Sequence, residues 1–288
     1  MTSTDGTELE AWTNDADGPT VLLCNGLGTN PYTWPAFLDP DCGVRVISWN
    51  HRGVCGSARP VDPDRVGVEV DVEDALALLD HAGIDACPVI GWSIGVNSMF
   101  ELAATHPERV TGLFAVAGVP GDTFASMLAP LHLPRFVRKP FTVGVARVLQ
   151  LTGRPLTAVA SRLPIGPVSG LVVTHSGFML PVPDVPLARQ AIREFLTTPI
   201  EWYMQLALAS SLHLRVSLRD IEVPTTFVAA KYDVLASSYD IATAAERIPG
   251  AEYVELRGSH FVQMEKPSAV HALLLELLAR VAAEADLP

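Results

Sequence analysis

Six short apolar runs, each rich in β-branched or aromatic residues, recur along the chain with helical patterns between them, and this alternation restricts the fold more than any other feature. The runs are Thr20 to Cys24 (TVLLC), Val44 to Ser48 (VRVIS), Cys87 to Gly91 (CPVIG), Thr111 to Ala117 (TGLFAVA), Thr225 to Ala230 (TTFVAA) and Ala251 to Leu256 (AEYVEL). None alternates cleanly between apolar and polar side chains, as expected of strands covered by helices on both faces. Glu69 to Ala82 has a helical pattern closed by Gly83, a good left-handed stop. From Ser268 to Ala285, the residues Val270, Leu273, Leu274, Leu277, Leu278 and Val281 form one apolar stripe at helical spacing. Strand–helix–strand order of this kind predicts an α/β fold with a mostly parallel, doubly wound sheet.

The middle of the chain breaks the pattern. Thr123 to Pro183 contains no Asp or Glu, is dense in proline, and carries the bases Arg135, Arg138, Lys139, Arg147, Arg154 and Arg162. The strand pattern stops near Val119 and resumes near Val223. The sequence therefore divides into a core of residues 1–121 and 220–288 and a mostly helical insertion over 122–219.

Composition excludes several classes of function. The net charge is −12, from 32 acids against 20 bases, and repels a phosphate backbone, so no nucleic-acid partner is expected. Cys24, Cys42, Cys55 and Cys87 form no Cys-x-x-Cys pair, which fits neither a zinc site nor a disulfide scaffold and points to free thiols in a reducing compartment. The first residues (MTSTDGTE) have neither a basic start nor an apolar run, and no uncharged apolar stretch reaches the ~18 residues of a membrane span. A cytoplasmic location without a signal peptide is the expectation. No G-x-G-x-x-G or P-loop pattern is present, and neither a cofactor nor a metal is expected.

Gly91-Trp92-Ser93-Ile94-Gly95 matches G-x-S-x-G. It follows a predicted strand and opens a helical stretch from Ile94 to Ala104. In that context a tight strand-to-helix turn exposes the serine Oγ, which makes Ser93 the candidate nucleophile. A serine hydroxyl needs a base. Of eight His, His260 stands alone on a loop between the last predicted strand and the last helix, in Gly258-Ser259-His260-Phe261. His106 precedes Pro107 at a helix end, and His51 beside Arg52 fits a turn. His81, His132, His175, His213 and His271 fit helix surfaces or the insertion. The base in turn needs an acid to fix its tautomer. Asp233 directly follows a strand, where α/β sites gather; Asp122 is the alternative. Backbone donors for an oxyanion are expected at Ile94, beside the nucleophile, and at Leu27 in the Gly-rich loop Asn25-Gly26-Leu27-Gly28. Asn25, Gly26, Trp92 and Phe261 are expected to line the substrate site.

Together these segments resemble the α/β-hydrolase superfamily, in its lid-bearing serine esterase, lipase and peroxidase-like branch. Asn25 to Gly28 is similar to that family's oxyanion loop, and His51-Arg52-Gly53-Val54-Cys55-Gly56-Ser57 to its Arg-Gly turn. Gly91 to Gly95 resembles the nucleophile elbow, and His106-Pro107-Glu108-Arg109-Val110 the segment after it. Val223-Pro224-Thr225 leading to Asp233, and Gly258 to Phe261, resemble the acid and histidine segments. The resemblance covers residues 6–120 and 220–288. Two positions depart from it: Asn25 replaces a usual His, and Asn50 replaces a common acid.

The resemblance implies an α/β-hydrolase fold whose lid is inserted after the sixth strand, and an esterase-like enzyme that cleaves a carboxylic ester through an acyl-enzyme on Ser93; the apolar, acid-free insertion points to an apolar acyl or alcohol group in that ester. The same three side chains also support acyl transfer, thioester hydrolysis, perhydrolysis or carbon–carbon hydrolysis, and a non-catalytic ligand-binding protein is a further alternative. Serine rather than aspartate at position 93 argues against epoxide or haloalkane chemistry, which needs a carboxylate nucleophile. The basic insertion invites a reading as a contact for anionic lipid or an acidic carrier, beside the plainer one that its bases solvate helix surfaces. Oligomeric state is not encoded in any of these patterns.

Overall fold

The computed structural model describes residues 1–128, 134–160, 162, 179–214 and 216–285. Among them, seven strands form one sheet: β1 (Ala11–Thr13), β2 (Thr20–Cys24), β3 (Arg45–Trp49), β4 (Cys87–Trp92), β5 (Val110–Val116), β6 (Thr225–Ala230) and β7 (Glu252–Leu256). Their order is β1-β3-β2-β4-β5-β6-β7. Only β1 runs antiparallel to its neighbour, with Ala11 opposite Trp49; the registers Cys24↔Gly91, Phe114↔Thr226 and Ala230↔Leu256 are parallel.

The missing polar alternation has a direct cause. Leu22, Ile47, Leu113 and Phe227 point into a core closed by α1 (Val68–Ala82), α2 (Gly95–Thr105) and α7 (Ser238–Ala245). Their neighbours Leu23, Val46, Phe114 and Val228 point into a second core, closed by α9 (Pro267–Ala285). Successive strand residues thus face opposite sides, and both sides are dry. Each of these side chains contributes roughly 1.5–3 kcal/mol by leaving water. The α9 stripe is laid out as its spacing predicts: Val270, Leu274, Leu277 and Leu278 are buried in the second core, and Leu273 and Val281 pack at its edge. Gly83 caps α1 in the left-handed conformation, at φ 67°.

Between the adjacent strands β5 and β6 lie α3 (Thr123–Ser126), α4 (Arg135–Ala160), α5 (Val185–Phe195) and α6 (Ile200–Ser211). This segment leaves the sheet after its fifth described strand, not after the sixth as expected. At the N-terminal edge, only the short β1 and an isolated Thr2–Glu8 bridge stand where a longer edge would add to the count. Three of the four cysteines are buried, Cys55 is half-buried, and all four are free.

Candidate active site

The site is built where β4 ends. Ser93 has φ 57°, a left-handed conformation that costs a residue with a Cβ about 1–2 kcal/mol. Its surroundings hold it there. The Ser93 N–H donates to the Val116 carbonyl at 3.0 Å, and its own carbonyl accepts from Val96 N–H at 3.2 Å. A Cβ on Gly95 would collide with the Cys24 carbonyl, because α2 starts hard against the end of β2. A larger residue there would push the elbow off the sheet.

Ser93 Oγ lies 2.8 Å from His260 Nε2, and His260 Nδ1 lies 2.8 Å from Asp233 Oδ2. His260 and Asp233 are buried, and Ser93 is half-buried. The other carboxylate oxygen of Asp233 accepts the N–H groups of Leu235 and Ala236 at 2.7 and 2.8 Å, so the backbone after β6 clamps the acid. Asp122, the alternative acid, pairs instead with Lys139 at 2.7 Å. In such a chain the carboxylate fixes the imidazole with Nδ1 protonated, leaving Nε2 to take a proton from Oγ.

The loop after β2 is the second wall. Asn25 is buried, and its Oδ1 accepts Gly26 N–H at 3.0 Å and Trp34 Nε1–H at 3.1 Å. It thereby holds the turn from inside. A Cβ on Gly26 would stand 2.7 Å from the Trp92 ring, so the loop and the elbow touch through these residues. Among the described residues, no acceptor takes the amide N–H of Leu27 or of Ile94. The half-buried Leu27 side chain packs with Trp202 and Leu206 on one side and with Phe124 and Ala207 on the other.

Trp92 is placed differently from its expected role as a substrate contact. It is buried in the second core, and its indole N–H donates to the His260 carbonyl at 3.0 Å, behind the imidazole. Strand alternation turns it into the core, although it directly precedes the nucleophile in sequence. Phe261 is half-buried, with its ring 5.8 Å from those of both Trp92 and His260.

The other histidines lie away from this chain of bonds. His51 is buried, and burial lowers its pKa to about 4. His106 Nδ1 meets Thr105 Oγ1, His271 Nε2 meets the Cys42 carbonyl, and His213 sits between Glu69 and Glu101. His132 and His175 lie outside the described residues.

Two further residues at the site carried no clear sequence signal. Buried Glu265, on α8 (Val262–Glu265), accepts Ser259 N–H and Leu180 N–H, each at 2.7 Å, and so ties the histidine loop to the chain entering α5. Tyr203, on α6, lies with Phe195 against Gly28, and burial pushes its phenol up to about 12. Among the described residues, no cluster of three or more His, Cys, Asp or Glu is arranged to hold a metal ion. No described helix is long and apolar enough to cross a membrane.

A sequence model of the alpha/beta hydrolase fold matches residues 19–267. RutD of Azorhizobium caulinodans, which carries the name carbamate hydrolase, is 28% identical over 261 residues, covering 90% of each chain. Epoxide hydrolase A of Mycobacterium tuberculosis is 26% identical over 314 residues, covering 96% of each. Among solved structures, an enol-lactonase from Burkholderia xenovorans has a TM-score of 0.70 at 23% identity, covering 96% of this chain and 98% of its own. A bromoperoxidase from Bacillus anthracis has a TM-score of 0.75 at 16% identity, covering 97% and 99%. At these identities the structural likenesses concern the fold.

Proposed function

This chain belongs to the α/β-hydrolase fold family, and from that premise we propose that it is a serine hydrolase cleaving a carboxylic ester with an apolar acyl or alcohol group. The observation that carries the proposal is the unbroken hydrogen-bonded chain from Ser93 through His260 to Asp233. In the first half-reaction His260 Nε2 takes the Ser93 proton as Oγ attacks the carbonyl carbon. The Leu27 and Ile94 amides, which lack other acceptors among the described residues, donate to the developing oxyanion. His260 then returns the proton to the leaving alcohol. In the second half-reaction His260 deprotonates a water that attacks the acyl carbon, Ser93 recovers its hydrogen, and the acid departs.

The other side chains take supporting parts in this reading. Trp92 and Asn25 position the histidine loop and the oxyanion loop. Gly26 lets the two walls meet, and Phe261 borders the substrate. Residues 122–219 act as a lid over the carboxyl ends of the strands, where pockets of such sheets form. The apolar side chains it brings to Leu27, namely Phe124, Trp202 and Leu206, favour an apolar substrate group.

A carbamate carbonyl is the second candidate substrate, on the likeness to RutD; Ser93 Oγ would attack it in the same way. Epoxide opening is disfavoured, because the nucleophile position holds a serine. A panel of p-nitrophenyl esters of rising chain length, with matching carbamates, tests the proposal. Turnover that rises with acyl length and vanishes in Ser93→Ala supports it. Turnover unchanged in Ser93→Ala overturns it.

A further inference from the structure

The chain that enters and forms α5, residues 179–195, is fastened to both loops that carry reacting groups. Its own shape is set locally. Pro181, Pro183 and Pro186 fix backbone angles along the lead-in, and a residue before a proline is held extended, so the Leu180 N–H is not spent in a helix. Asp184 Oδ1 then accepts Leu187 N–H at 2.9 Å and starts α5. Met179, Val182, Ala188 and Ala191 of this arm are buried in one apolar cluster with Met264 of α8, and Tyr32 and Phe261 pack against it. The cluster thus joins the arm to the loop after β2, through Tyr32, and to the loop of His260, through Phe261 and Met264.

Two buried polar side chains cross the same junctions. On the histidine side, one Glu265 carboxylate oxygen accepts Leu180 N–H at 2.7 Å and the other accepts Ser259 N–H at 2.7 Å; the Ser259 hydroxyl donates to the same carboxylate. Phe261 N–H closes onto that hydroxyl at 3.3 Å. The residues on either side of His260 therefore hang on Glu265. Glu265 and Ser259 are buried, and among the described residues no Lys, Arg or His pairs with the carboxylate. Such a group is tolerated in the interior only while hydrogen bonds satisfy it, and here they come from the two segments it joins. On the other side, Asn30 is buried on the loop that follows Leu27. It donates from Nδ2 to the Ala191 carbonyl of α5 at 3.1 Å and accepts Tyr32 N–H with Oδ1 at 3.1 Å.

We propose that residues 179–195 position both catalytic loops, with Glu265 the positioning residue for the His260 imidazole and Asn30 that for the Leu27 amide. This rests on the function proposed above and makes the arm part of the catalytic geometry as well as a cover. The reason is tolerance. The imidazole must meet Ser93 Oγ and then the leaving oxygen, and a displacement of about 1 Å costs roughly a hundredfold in rate. Asp233 holds the His260 ring and Trp92 its carbonyl; Glu265 holds the backbone on both sides of it.

Initial rates on a p-nitrophenyl ester and amide hydrogen exchange test this, the second without substrate. Glu265→Ala should lower kcat about a hundredfold at unchanged KM. It should also raise exchange in residues 258–261 and 179–184 together, while β4 and β6 keep the parent's protection. Glu265→Gln keeps the size of the side chain but has one acceptor oxygen, so its amide opposes an N–H and kcat should fall about tenfold. Leu180→Pro deletes one of those N–H groups, so the double variant Glu265→Gln, Leu180→Pro should lose less than the product of the two single losses. Asn30→Ala should lower kcat about tenfold, again at unchanged KM. A parental kcat in Glu265→Ala, single losses that multiply in the double variant, or faster exchange in only one of the two segments overturns the proposal. So does a raised KM at unchanged kcat, since the arm would then only bind substrate. If β4 and β6 lose protection in Glu265→Ala, the Gln and Pro variants decide by the same criterion. A parent that turns over no ester defeats the proposed function instead, and exchange alone then decides whether Glu265 ties the arm to the loop.

Discussion

The corner around Ser93 and the helix α4 are both next to Leu27, yet they are held in place by different means. At the corner the contacts are to backbone: Ser93 N–H on Val116, Gly95 against Cys24, and Asp233 on the amides of Leu235 and Ala236. The helix is held on its inner side mainly by side chains, with Val143 and Ala146 in an apolar cluster, Arg138 on the Ser126 carbonyl and Lys139 on Asp122, while Gly153 lies against the Glu201 backbone; it carries Pro140 and Pro155 in its length and shows an apolar outer face. Backbone contacts fix a geometry to fractions of an ångström and admit few substitutions. Side-chain contacts of one helix face tolerate many, which is how one chemistry can be offered to different substrates and surroundings.

If that contrast is right, the corner should answer to changes that the helix ignores. The largest effect is expected for His260→Ala, which should lower kcat on an activated ester by up to about a million-fold, as removal of a base does in such triads. Asp233→Asn keeps the size of the side chain but offers the wrong partner to Nδ1, and should cost roughly ten-thousandfold. Initial rates on one p-nitrophenyl ester check both. In urea unfolding, Gly95→Ala should lose about 3 kcal/mol, because the added carbon meets backbone that cannot yield. Leu151→Gln, on the outer face of α4, should stay within about 0.5 kcal/mol. Equal losses for the two would remove the contrast.

A further test concerns the packing beneath the corner. Asp71 is buried between α1 and α2, with Ser98 Oγ donating to it at 3.1 Å. Burial first, and then the charge of Asp74, push its carboxyl from 3.8 to about 8. Between those values the folded protein holds a proton that the unfolded chain has released, so Asp71 makes stability fall as pH rises from about 4 to about 8. Asp71→Asn should remove that slope and stabilise the protein near pH 8 by on the order of 5 kcal/mol. Unfolding measured at several pH values across the range decides it; a slope unchanged in the variant would show that Asp71 is not its source.

The core was readable in the sequence for physical reasons visible in particular residues. β2 and β4 to β6 show as continuous apolar runs because both their faces are dry, and Gly83 and the α9 stripe follow from helix geometry alone. β1 was not foreseen, because a three-residue edge strand is too short to carry a period. The residue types needed for acyl chemistry pointed to Ser93, His260 and Asp233, and the fold brings these three together. Trp92 was harder to place: adjacency in sequence says nothing of which side of a strand a ring enters. Glu265 is invisible for a related reason, since its partners Ser259 and Leu180 are joined only by the fold. The insertion showed its composition, but not that the apolar residues of α4 divide between an inner and an outer face.

The central claim is that Ser93 Oγ is the group that becomes acylated. Labelling the protein with a fluorophosphonate and mapping the adduct by peptide mass spectrometry tests it most directly. The account predicts a single phosphonyl adduct on the peptide containing Ser93, absent from Ser93→Ala. An adduct on another residue, or labelling that persists in Ser93→Ala, would contradict it.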